Sequence, residues 1–477
     1  MVRIPPHPPK PADVVDRARE WEALSRLWTS PRPELAFVLG RRRVGKSYLL
    51  AQFAQGVHGL YYQATRRTEG EQLARLSLAI GERFDDAALR QGVAFPHWEA
   101  LLEYLTHRIG DEPFLLVLDE FPYLSNAAPA LTSILQSWWD HQAPRTRIRL
   151  VLSGSHISAM RQLEALDQPL YGRRTRRMAL HSFTPVEVRE FVPTYDPMDT
   201  LCTFGLIGGL PGHLGLLDPT LSLADNAAML LLDSGGRLAD EAQHMLDAFL
   251  GEALVHYSIL EAVATGDRTW KGITNRIGRS GGAALRPLEW LIDMELLERV
   301  VPISEADPRK SKRSLYRITD PYIGFWHRFV APLAASGAIG LVDPGRLWSR
   351  SVAPHLSDYM GPVFESACRQ AVRSGRVVLP FDIMRVGEWW NAGSTEEIDV
   401  VALGGSRELF IAECKWGAVT AADLERLERR GQLLATEIGG VRKTHVGVFS
   451  AAGHFDAAIS REIAAGRVLA WSAADLV

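Results

Sequence analysis

Five short runs of aliphatic and β-branched residues recur between residues 35 and 185, and segments with helical spacing of apolar positions separate them. The runs are LAFVLG, GLYYQA, FLLVLDEF, IRLVLSGS and RRMALHSF. Near-continuous apolar strands that alternate with helices are typical of parallel sheets, because both faces of such a sheet are covered. The pattern predicts an α/β core with a buried parallel sheet over residues 1–185.

The rest of the chain changes character three times. Residues 186–250 have a helical pattern that GGLPGHL interrupts, and we expect a helical lid there. Residues 251–320 contain three short helical patterns, a strand, a basic loop and a return strand, which is the order of a winged helix-turn-helix. Residues 321–350 are punctuated by glycine and proline and indicate a linker, and residues 351–477 read as a second α/β domain.

A phosphate-binding pattern follows the first strand. Gly40 and Gly45 frame four intervening residues, and Lys46 and Ser47 come next, at the predicted start of a helix. In this P-loop pattern the backbone N–H groups surround phosphates, the lysine reaches the β and γ oxygens, and the serine hydroxyl binds magnesium. The sequence therefore predicts an ATP site that uses Mg²⁺.

Two later strands end in polar residues that suit the same site. Asp119 and Glu120 close FLLVLDEF, where the first carboxylate holds magnesium through water and the second orients the attacking water. Ser153, the first serine of IRLVLSGS, lies near the end of its strand and is expected to contact the γ-phosphate or that water. The alternative for Ser153 is a turn-forming serine without a role in binding.

The segment EIDVVALGGSRELFIAECKW contains two apolar strands with charged residues in them. Side chains two apart on a strand share a face, so Glu413 and Lys415 point together while Cys414 points to the opposite side. The Gly-Gly turn at residues 404–405 brings Asp399 on the first strand to the same site. Only seven of the 53 basic residues are lysines, which favours a specific use of the ammonium group at Lys415.

Two carboxylates and an ammonium group are a set that suits phosphodiester hydrolysis. Asp399 and Glu413 can hold Mg²⁺ or Mn²⁺, which lowers the pKa of a bound water, and Lys415 can stabilise the charge that develops on phosphorus. The alternative is a hairpin at a solvent-exposed edge, in which Lys415 and Glu413 form a salt bridge without catalysis.

The bulk properties exclude several classes of protein. The net charge of −3 gives no global signal for nucleic acid, so such contacts must be local. Three widely spaced cysteines argue against a disulfide framework and favour the reducing cytoplasm. No apolar run reaches 18 residues, and the proline-rich start does not resemble a signal peptide, so no membrane span is expected.

Several motifs together resemble the STAND-type AAA+ ATPases, in particular the family of archaeal ATPases. They are VDRAREWEAL, GRRRVGKS, LVLDEFPYL, LVLSGS, LYGRRTRRMAL and GGLPGHL, and they cover residues 13–215. The resemblance implies that Arg17 lies near the nucleotide, that Arg173 after Gly172 acts as a sensor or trans-acting arginine, and that Gly209-x-Pro211 opens the lid. It also implies a slow switch in which ATP changes the oligomeric state.

The C-terminal strands resemble the PD-(D/E)xK restriction-endonuclease-like fold. The resemblance rests on Asp399, 13 intervening residues, Glu413 and Lys415, with Ile398 in place of the proline of the family motif. This resemblance implies a further acid on the preceding helix, for which Glu365 is the candidate. The segments DPYIGFWHRFVAP and VGEWWNAGSTEEIDVVAL also resemble the domain of unknown function that follows the ATPase in this family.

The predicted winged helix offers basic residues to DNA. The loop between its strands contains Arg309, Lys310, Lys312 and Arg313, which are expected to contact phosphates. The third helix, residues 282–296, is mostly apolar. That composition keeps open an alternative in which the module packs against another domain and relays the ATP state.

These predictions combine into an ATP-controlled, metal-dependent nuclease that acts on DNA. One alternative is an ATP-dependent DNA-binding or signalling regulator whose nuclease-like fold is inactive. Another is an ATPase that assists a separate effector.

Overall fold

The structure is a computed structural model that describes residues 6–247 and 254–477. The chain divides into two compact units, Met1–Ser182 and Phe183–Val477. The predicted boundary between the lid and the winged helix, at residues 250 and 251, lies outside the described residues. In the described part of the chain, no helix has the length and hydropathy that crossing a membrane requires.

The first unit is built on a parallel sheet with strand order β2-β3-β4-β1-β5. Each apolar run of the sequence forms one of its strands, and β1 is buried along its whole length. The predicted α/β core with a buried parallel sheet is thus confirmed. The strands are β1 (Glu34–Leu39), β2 (Gly59–Gln63), β3 (Pro113–Asp119), β4 (Arg147–Gly154) and β5 (Arg176–Ala179).

Helices cover this sheet and complete its core. They are α1 (Ala18–Trp28), α2 (Lys46–Gln55), α3 (Glu69–Phe84), α4 (Ala87–Arg90), α5 (Trp98–Ile109), α6 (Phe121–Ala127), α7 (Leu131–His141) and α8 (Ile157–Gln162), with a 3₁₀ turn at Ala143–Arg145. Phe37, Phe53 and Phe114 are fully buried. Burying a side chain of this size contributes about 1.5–3 kcal/mol, so the core fixes the strand order firmly.

The strand order places three chain segments at one edge of the sheet. Strand β4 lies between β1 and β3, and all three run in the same direction. Their carboxyl ends are Leu39, Asp119 and Gly154. In open parallel sheets the ligand binds outside these carboxyl ends, so residues 40–47, 119–120 and 155 meet where a ligand is expected.

The second unit begins with short helices. They are α9 (Pro185–Val188), α10 (Pro197–Ile207), α11 (Pro211–Leu214), α12 (Leu223–Ala227) and α13 (Glu241–Asp247), with a π-helical turn at Ala228–Leu232. The GGLPGHL motif connects α10 to α11. A Cβ atom on Gly209 would lie 2.0 Å from the carbonyl oxygen of Phe183, so only glycine fits where these two backbones meet.

The winged module has the predicted order of elements. Helices α14 (Leu254–Ala264), α15 (Trp270–Ile277) and α16 (Gly282–Asp293) precede the antiparallel strands β6 (Leu297–Val300) and β7 (Leu315–Ile318). Residues 301–314, which we call the wing, connect the two strands. The apolar face of α16 is buried, whereas Arg286 on this helix is exposed.

The predicted linker is packed and largely helical. It contains α17 (Pro321–Phe325), α18 (Ala331–Ala335) and α19 (Pro344–Leu347), with π-helical turns at Trp326–Val330 and Trp348–Val352 and a 3₁₀ turn at Ala353–His355. Tyr322 donates a hydrogen bond to the carbonyl oxygen of Leu238 at 2.8 Å, and Trp326 donates one to that of Ala239 at 2.6 Å. Tyr322, Phe325, Trp326 and Phe329 are buried, which outweighs the glycine and proline signal of the sequence.

The C-terminal part contains a mixed sheet with strand order β12-β11-β10-β9-β8. The strands are β8 (Ile383–Trp390), β9 (Glu397–Gly404), β10 (Glu408–Lys415), β11 (Lys443–Ser450) and β12 (Val468–Ser472), and the helices are α20 (Leu356–Ser374), α21 (Ala421–Ile438), α22 (Ala457–Ala464) and α23 (Ala473–Leu476). Strands β8, β9 and β10 are antiparallel neighbours, whereas β11 and β12 run parallel to β10. The predicted hairpin is therefore present, with residues 405–407 as its turn.

The wing packs against this mixed sheet. Ile303 belongs to the same buried cluster as Trp389 on β8 and Leu427 on α21. Its backbone N–H donates to the carbonyl oxygen of Glu388 at 2.9 Å. The winged module and the C-terminal sheet consequently share a core.

Candidate functional site

The P-loop is shaped by its glycine and held by its own lysine. Gly45 precedes α2 with φ at +91°, a backbone conformation that side chains disfavour. Lys46 is buried, and its ammonium donates to the carbonyl oxygens of Gly40 at 2.6 Å and Arg41 at 2.9 Å. These carbonyl oxygens hold the ammonium group within the loop. The oxygens of a bound phosphate would compete with them for the ammonium group.

The electrostatics of Lys46 favour an anionic ligand. Burial lowers the pKa of Lys46 to about 8, and the negative charges of Glu120 and Asp119 offset part of that shift. The two carboxylates therefore stabilise the charged ammonium in a buried place. A phosphate anion would stabilise it further.

Asp119 is fully buried and has three hydrogen-bond donors. Its Oδ2 accepts from the hydroxyl of Ser47 at 2.6 Å and from the hydroxyl of Tyr61 at 2.6 Å. Its Oδ1 accepts from the backbone N–H of Glu120 at 3.0 Å. The sequence singled out Ser47 and Asp119 but missed Tyr61, because only the pairing of β2 with β3 brings it here.

Glu120 contacts a serine that the sequence did not single out. The carboxylate of Glu120 accepts from the hydroxyl of Ser155 and from its backbone N–H, the latter at 3.2 Å. The same hydroxyl lies 3.0 Å from the ammonium of Lys46. Ser155 thus bridges the two charged groups, and a hydroxyl one residue past a strand end was the signal that could have found it.

The structure places Ser153 inside the sheet. Strand β4 continues to Gly154, and Ser153 lies opposite Val38 of β1. Its hydroxyl is buried and has no hydrogen-bond partner in the described residues. The serine at this strand end that contacts Lys46 and Glu120 is therefore Ser155, because β4 continues past Ser153 to Gly154.

The two arginines that the resemblance pointed to have different surroundings. Arg17 is buried and donates to the carbonyl oxygens of Val44 at 2.9 Å and His181 at 2.8 Å, which ties it to the P-loop. Arg173 forms a two-pronged ion pair with Asp140, with nitrogen to oxygen distances of 2.8 and 2.7 Å. Only Arg17 is thus in contact with the phosphate loop.

The oxygens of this site fit magnesium. Ser47 and Asp119 present a hydroxyl and a carboxylate oxygen 2.6 Å apart at the start of α2, and Mg²⁺ prefers oxygen ligands. Mg²⁺ is usually held by one or two protein oxygens together with water and the phosphates of the substrate. A bound Mg²⁺ would neutralise charge on the phosphates, while Lys46 and the loop N–H groups orient them.

A second polar cluster lies at the open end of the β9–β10 hairpin. The register pairs Ala412 with Val400, and Glu413 and Asp399 follow this pair. Lys415 lies 2.7 Å from Glu413, so both side chains point to one face as the pleat predicts. The Oδ2 of Asp399 accepts from the backbone N–H of Cys414 at 2.7 Å.

Three carboxylates influence one another in this cluster. Burial and then the negative charges of Glu365 and Glu413 raise the pKa of Asp399 well above its ordinary value. Burial also raises the pKa of Glu365, against the positive charge of Arg369. The negative charge of Glu365 on α20 therefore acts on Asp399. A cation would relieve repulsion of this kind.

Cations already surround Glu413. Arg430 on α21 contacts Glu413 at 3.4 Å and Glu396 at 2.7 Å. Lys415 also lies 3.8 Å from Asp423, the third residue of α21. The sequence missed Arg430, which is one of many arginines in the chain and belongs to no motif.

A buried ion-pair chain connects the winged module with this cluster. Arg317 on β7 donates to both carboxylate oxygens of Glu388 on β8 at 2.6 Å. Arg369 lies 3.3 Å from the same carboxylate and donates to the carbonyl oxygen of Asp399 at 2.7 Å. Burial would raise the pKa of Glu388, but Arg369 and Arg317 outweigh it and lower that pKa.

The wing uses part of its positive charge within the chain. Arg313 pairs with Glu437 on α21 at 2.7 Å and also donates to the carbonyl oxygen of Trp390. Arg309, Lys310 and Lys312 are exposed. Arg313 is thus paired within the chain, whereas the DNA phosphate contacts expected of the four basic residues stay a prediction.

Two families match parts of the chain. Residues 14–217 match a family described as an ATPase domain predominantly from Archaea. Residues 326–427 match a family of archaeal and bacterial proteins of unknown function. An uncharacterized protein of Methanocaldococcus jannaschii is 27% identical over 419 residues, which are 87% of this chain and 90% of that protein.

Solved structures also resemble the chain. A Walker-type ATPase of Pyrococcus abyssi is 20% identical with a TM-score of 0.50, over 69% of this chain and 99% of that one. The ORC2 protein of Aeropyrum pernix, in ADPNP–ADP complexes, is 15% identical with a TM-score of 0.45, over 70% of this chain and 96% of that one. The chain thus has the α/β fold of P-loop ATPases, and the ATPase family match supports ATP hydrolysis.

Proposed function

We propose that this protein is an ATP-dependent switch that controls a metal-dependent nuclease site acting on DNA. The observation that carries the proposal is that Lys415 lies 2.7 Å from Glu413 at the end of β10, while Oδ2 of Asp399 accepts from the backbone N–H of Cys414 between them at 2.7 Å. The ATP half of the proposal is supported by the matched ATPase family and by the Lys46 and Asp119 contacts.

In the ATP site each side chain has a separate task. Lys46 and the N–H groups that start α2 bind the phosphates. Ser47 and Asp119 supply the oxygens for Mg²⁺, which offsets charge on the transferred phosphoryl group. Glu120 orients the attacking water, and Ser155 holds its carboxylate until a γ-phosphate competes for the hydroxyl. Arg173 senses the nucleotide once its guanidinium group has released Asp140.

In the nuclease-like site the carboxylates and the ammonium act on one phosphodiester. Asp399 and Glu413 would hold Mg²⁺ or Mn²⁺, and two carboxylates with water and a substrate phosphate are enough for such an ion. Glu365 would complete the negative set from α20. Lys415 stabilises the charge that develops on the phosphate oxygens. A metal ion there would supply a water of lowered pKa.

The ion-pair chain from Arg317 through Glu388 to Arg369 supports the control part of the proposal. It connects the winged module to the backbone of Asp399. A movement of β7 would change the partners of Glu388 and thereby the charge beside the carboxylates. Exposed Lys310 and Lys312 leave the wing with a surface for DNA phosphates.

Two observations favour a second function. Among residues 6–247 and 254–477, no group of three or more histidine, cysteine, aspartate or glutamate side chains is placed to hold a metal ion. Lys415 and Arg430 moreover neutralise Glu413. These facts favour an ATP-dependent DNA-binding or signalling regulator whose nuclease-like fold does not cut.

Cleavage of supercoiled plasmid separates the two functions. The full chain is incubated with plasmid, ATP and either Mg²⁺ or Mn²⁺. The nuclease proposal predicts nicked or linear product, and a loss on the order of 100-fold in Glu413→Ala and in Lys415→Ala, since each removes charge stabilisation at the reacting phosphate. Lys443→Ala, an exposed lysine at the start of β11, is the control and should cut normally.

Absence of cutting, or equal cutting by the wild type and both site variants, would leave the regulator as the better function.

Nucleotide binding tests the ATP site separately. Lys46→Ala should abolish measurable ATP binding, because it removes the cation that neutralises the phosphates. Lys271→Ala, an exposed lysine on α15, serves as the control. Binding is followed by fluorescence of a labelled ATP analogue. Equal affinity in wild type and Lys46→Ala would contradict the assignment of the P-loop.

A further inference from the structure

Tyr61 contacts the magnesium carboxylate without belonging to the P-loop pattern. Its hydroxyl lies 2.6 Å from Oδ2 of Asp119, the same oxygen that accepts from Ser47. It stands on β2, a strand that contributes none of the phosphate-binding residues described above. The contact crosses from β2 to β3, where Tyr61 pairs with Val117 and Asp119 lies two residues farther on.

The phenol acts as a donor in this place. Its hydroxyl donates to Oδ2 of Asp119 at 2.6 Å, and the oxygen of an ionised carboxylate can only accept such a bond. A buried carboxylate with three donors is fixed in orientation and compensated for the loss of water.

We propose that Tyr61 is a positioning residue that aims Asp119 at magnesium. The proposal rests on the ATP site described above. Ser47 would offer its hydroxyl oxygen to the ion, while Tyr61 donates to Oδ2 of Asp119, the oxygen that also accepts from Ser47. Groups that hydrogen-bond to a metal ligand in this way set its orientation, and their loss costs about 10- to 100-fold in metal affinity.

The strand supplies a matched control. Tyr62, the next residue on β2, points to the other face and donates to Oε1 of Gln72 at 2.7 Å. Tyr62→Phe and Tyr61→Phe each remove one hydrogen-bonded phenolic oxygen from the same strand. Only the second change touches Asp119.

The test measures nucleotide binding with and without Mg²⁺ on the full chain. Affinity for a fluorescent ATP analogue in EDTA should be the same in wild type and in Tyr61→Phe, since Lys46 and the loop are intact. In a Mg²⁺ titration Tyr61→Phe should need about tenfold more Mg²⁺ for half of the Mg²⁺-dependent gain in affinity. Tyr62→Phe should titrate as the wild type does.

Two outcomes would overturn the positioning role. One is an unchanged Mg²⁺ midpoint in Tyr61→Phe, and the other is an equal shift in both tyrosine variants. Absence of binding by the wild type both in EDTA and at saturating Mg²⁺ would instead contradict the ATP site itself, so the two failures are distinguishable.

A measurement on the wild type covers the case in which Tyr61→Phe does not fold. Tyrosine is labelled with ¹³C at the hydroxyl-bearing ring carbon, and the ADP-bound protein is titrated with Mg²⁺. The resonance of Tyr61, assigned by its absence in a Tyr61→Trp spectrum or by its proximity to the ligand, should shift with the Mg²⁺ binding curve. A Tyr61 signal that is insensitive to Mg²⁺ would overturn the proposal.

Discussion

Two serines only two residues apart, Ser153 and Ser155, show how a single residue is selected for the ATP site. Ser153 and Ser155 carry the same hydroxyl, yet one is packed inside β4 and the other lies past its end. Ser155 contacts Lys46 at 3.0 Å and Glu120 through its side chain and backbone. Ser153 contacts no polar group among the described residues, so the two positions can be compared directly.

The first prediction uses this pair. Ser155→Ala should lower the rate of ATP hydrolysis about tenfold or more, because a hydrogen bond to a charged group contributes roughly 1.5–3 kcal/mol. ATP affinity should change less, since Lys46 keeps its loop contacts. Ser153→Ala should hydrolyse ATP as the wild type does. Steady-state kinetics check both variants. A loss of ATP hydrolysis in Ser153→Ala, with normal hydrolysis in Ser155→Ala, would contradict the assignment of Ser155 to the ATP site.

A second prediction concerns a buried histidine and pH. His327 lies in the π-helical turn of the second unit, and burial lowers its pKa to about 4. An unfolded histidine titrates near 6.5, so the unfolded chain binds the proton first as pH falls. Stability that is present above pH ~6.5 is therefore lost between about 6.5 and 4, by up to about 3 kcal/mol.

Urea unfolding between pH 4 and 7 measures this loss. His327→Phe should flatten the pH dependence, whereas His355→Phe, which changes an exposed histidine, should keep the wild-type slope. An unchanged slope in His327→Phe would show that another group causes the acid sensitivity.

The local residues of both sites were predictable from sequence and the distant ones were not. Lys46, Ser47 and Asp119 are fixed by spacing within or beside one strand–loop–helix unit. Tyr61 and Arg430 enter their sites through strand order and helix packing, which involve contacts far apart in sequence. No local pattern encodes such contacts.

At the scale of elements, the wing is a packing element as well as a candidate DNA contact. Ile303 of the wing is in the sheet core and Arg313 of the wing pairs with Glu437, while Arg317 on the adjoining β7 pairs with Glu388. The sequence correctly indicated a helix–turn–helix followed by a hairpin. It could not indicate the docking, because the partners of the wing follow it by about 70 or more residues.

The third prediction tests this docking. Arg317→Met should destabilise the second unit by about 3–5 kcal/mol, because Glu388 stays buried with one of its two guanidinium partners lost. Glu298→Gln should change stability by less than ~1 kcal/mol, since Glu298 is an exposed partner 3.6 Å from Arg317. Urea denaturation compares the two, and equal effects would contradict the importance of the Arg317–Glu388 pair.

At the scale of the whole molecule, each of the two units contains one polar cluster. The first unit contains the loop centred on Lys46, and the second contains Asp399 and Glu413 beside Lys415. Sequence motifs pointed to the residues of both clusters. The unit division at residue 182 follows instead from packing, since the winged module and the C-terminal sheet share one core.

The fourth prediction concerns DNA binding by the whole chain. Lys310→Ala combined with Lys312→Ala should weaken binding to duplex DNA and reduce the slope of log affinity against log salt by about 1–2, because each phosphate contact releases counterions. Arg313→Ala should reduce this slope less, since its charge is already paired with Glu437. Fluorescence anisotropy at several salt concentrations checks this, and equal slopes in all proteins would exclude the wing as a DNA contact.

The rate of plasmid cleavage in Mn²⁺, measured with and without ATP, tests the control of the second site most directly. The account predicts cleavage by the wild type whose rate changes when ATP is added, cleavage by Lys46→Ala that ATP does not change, and no cleavage by Glu413→Ala. A wild type that does not cut under either condition, or an ATP effect that persists in Lys46→Ala, would contradict the account.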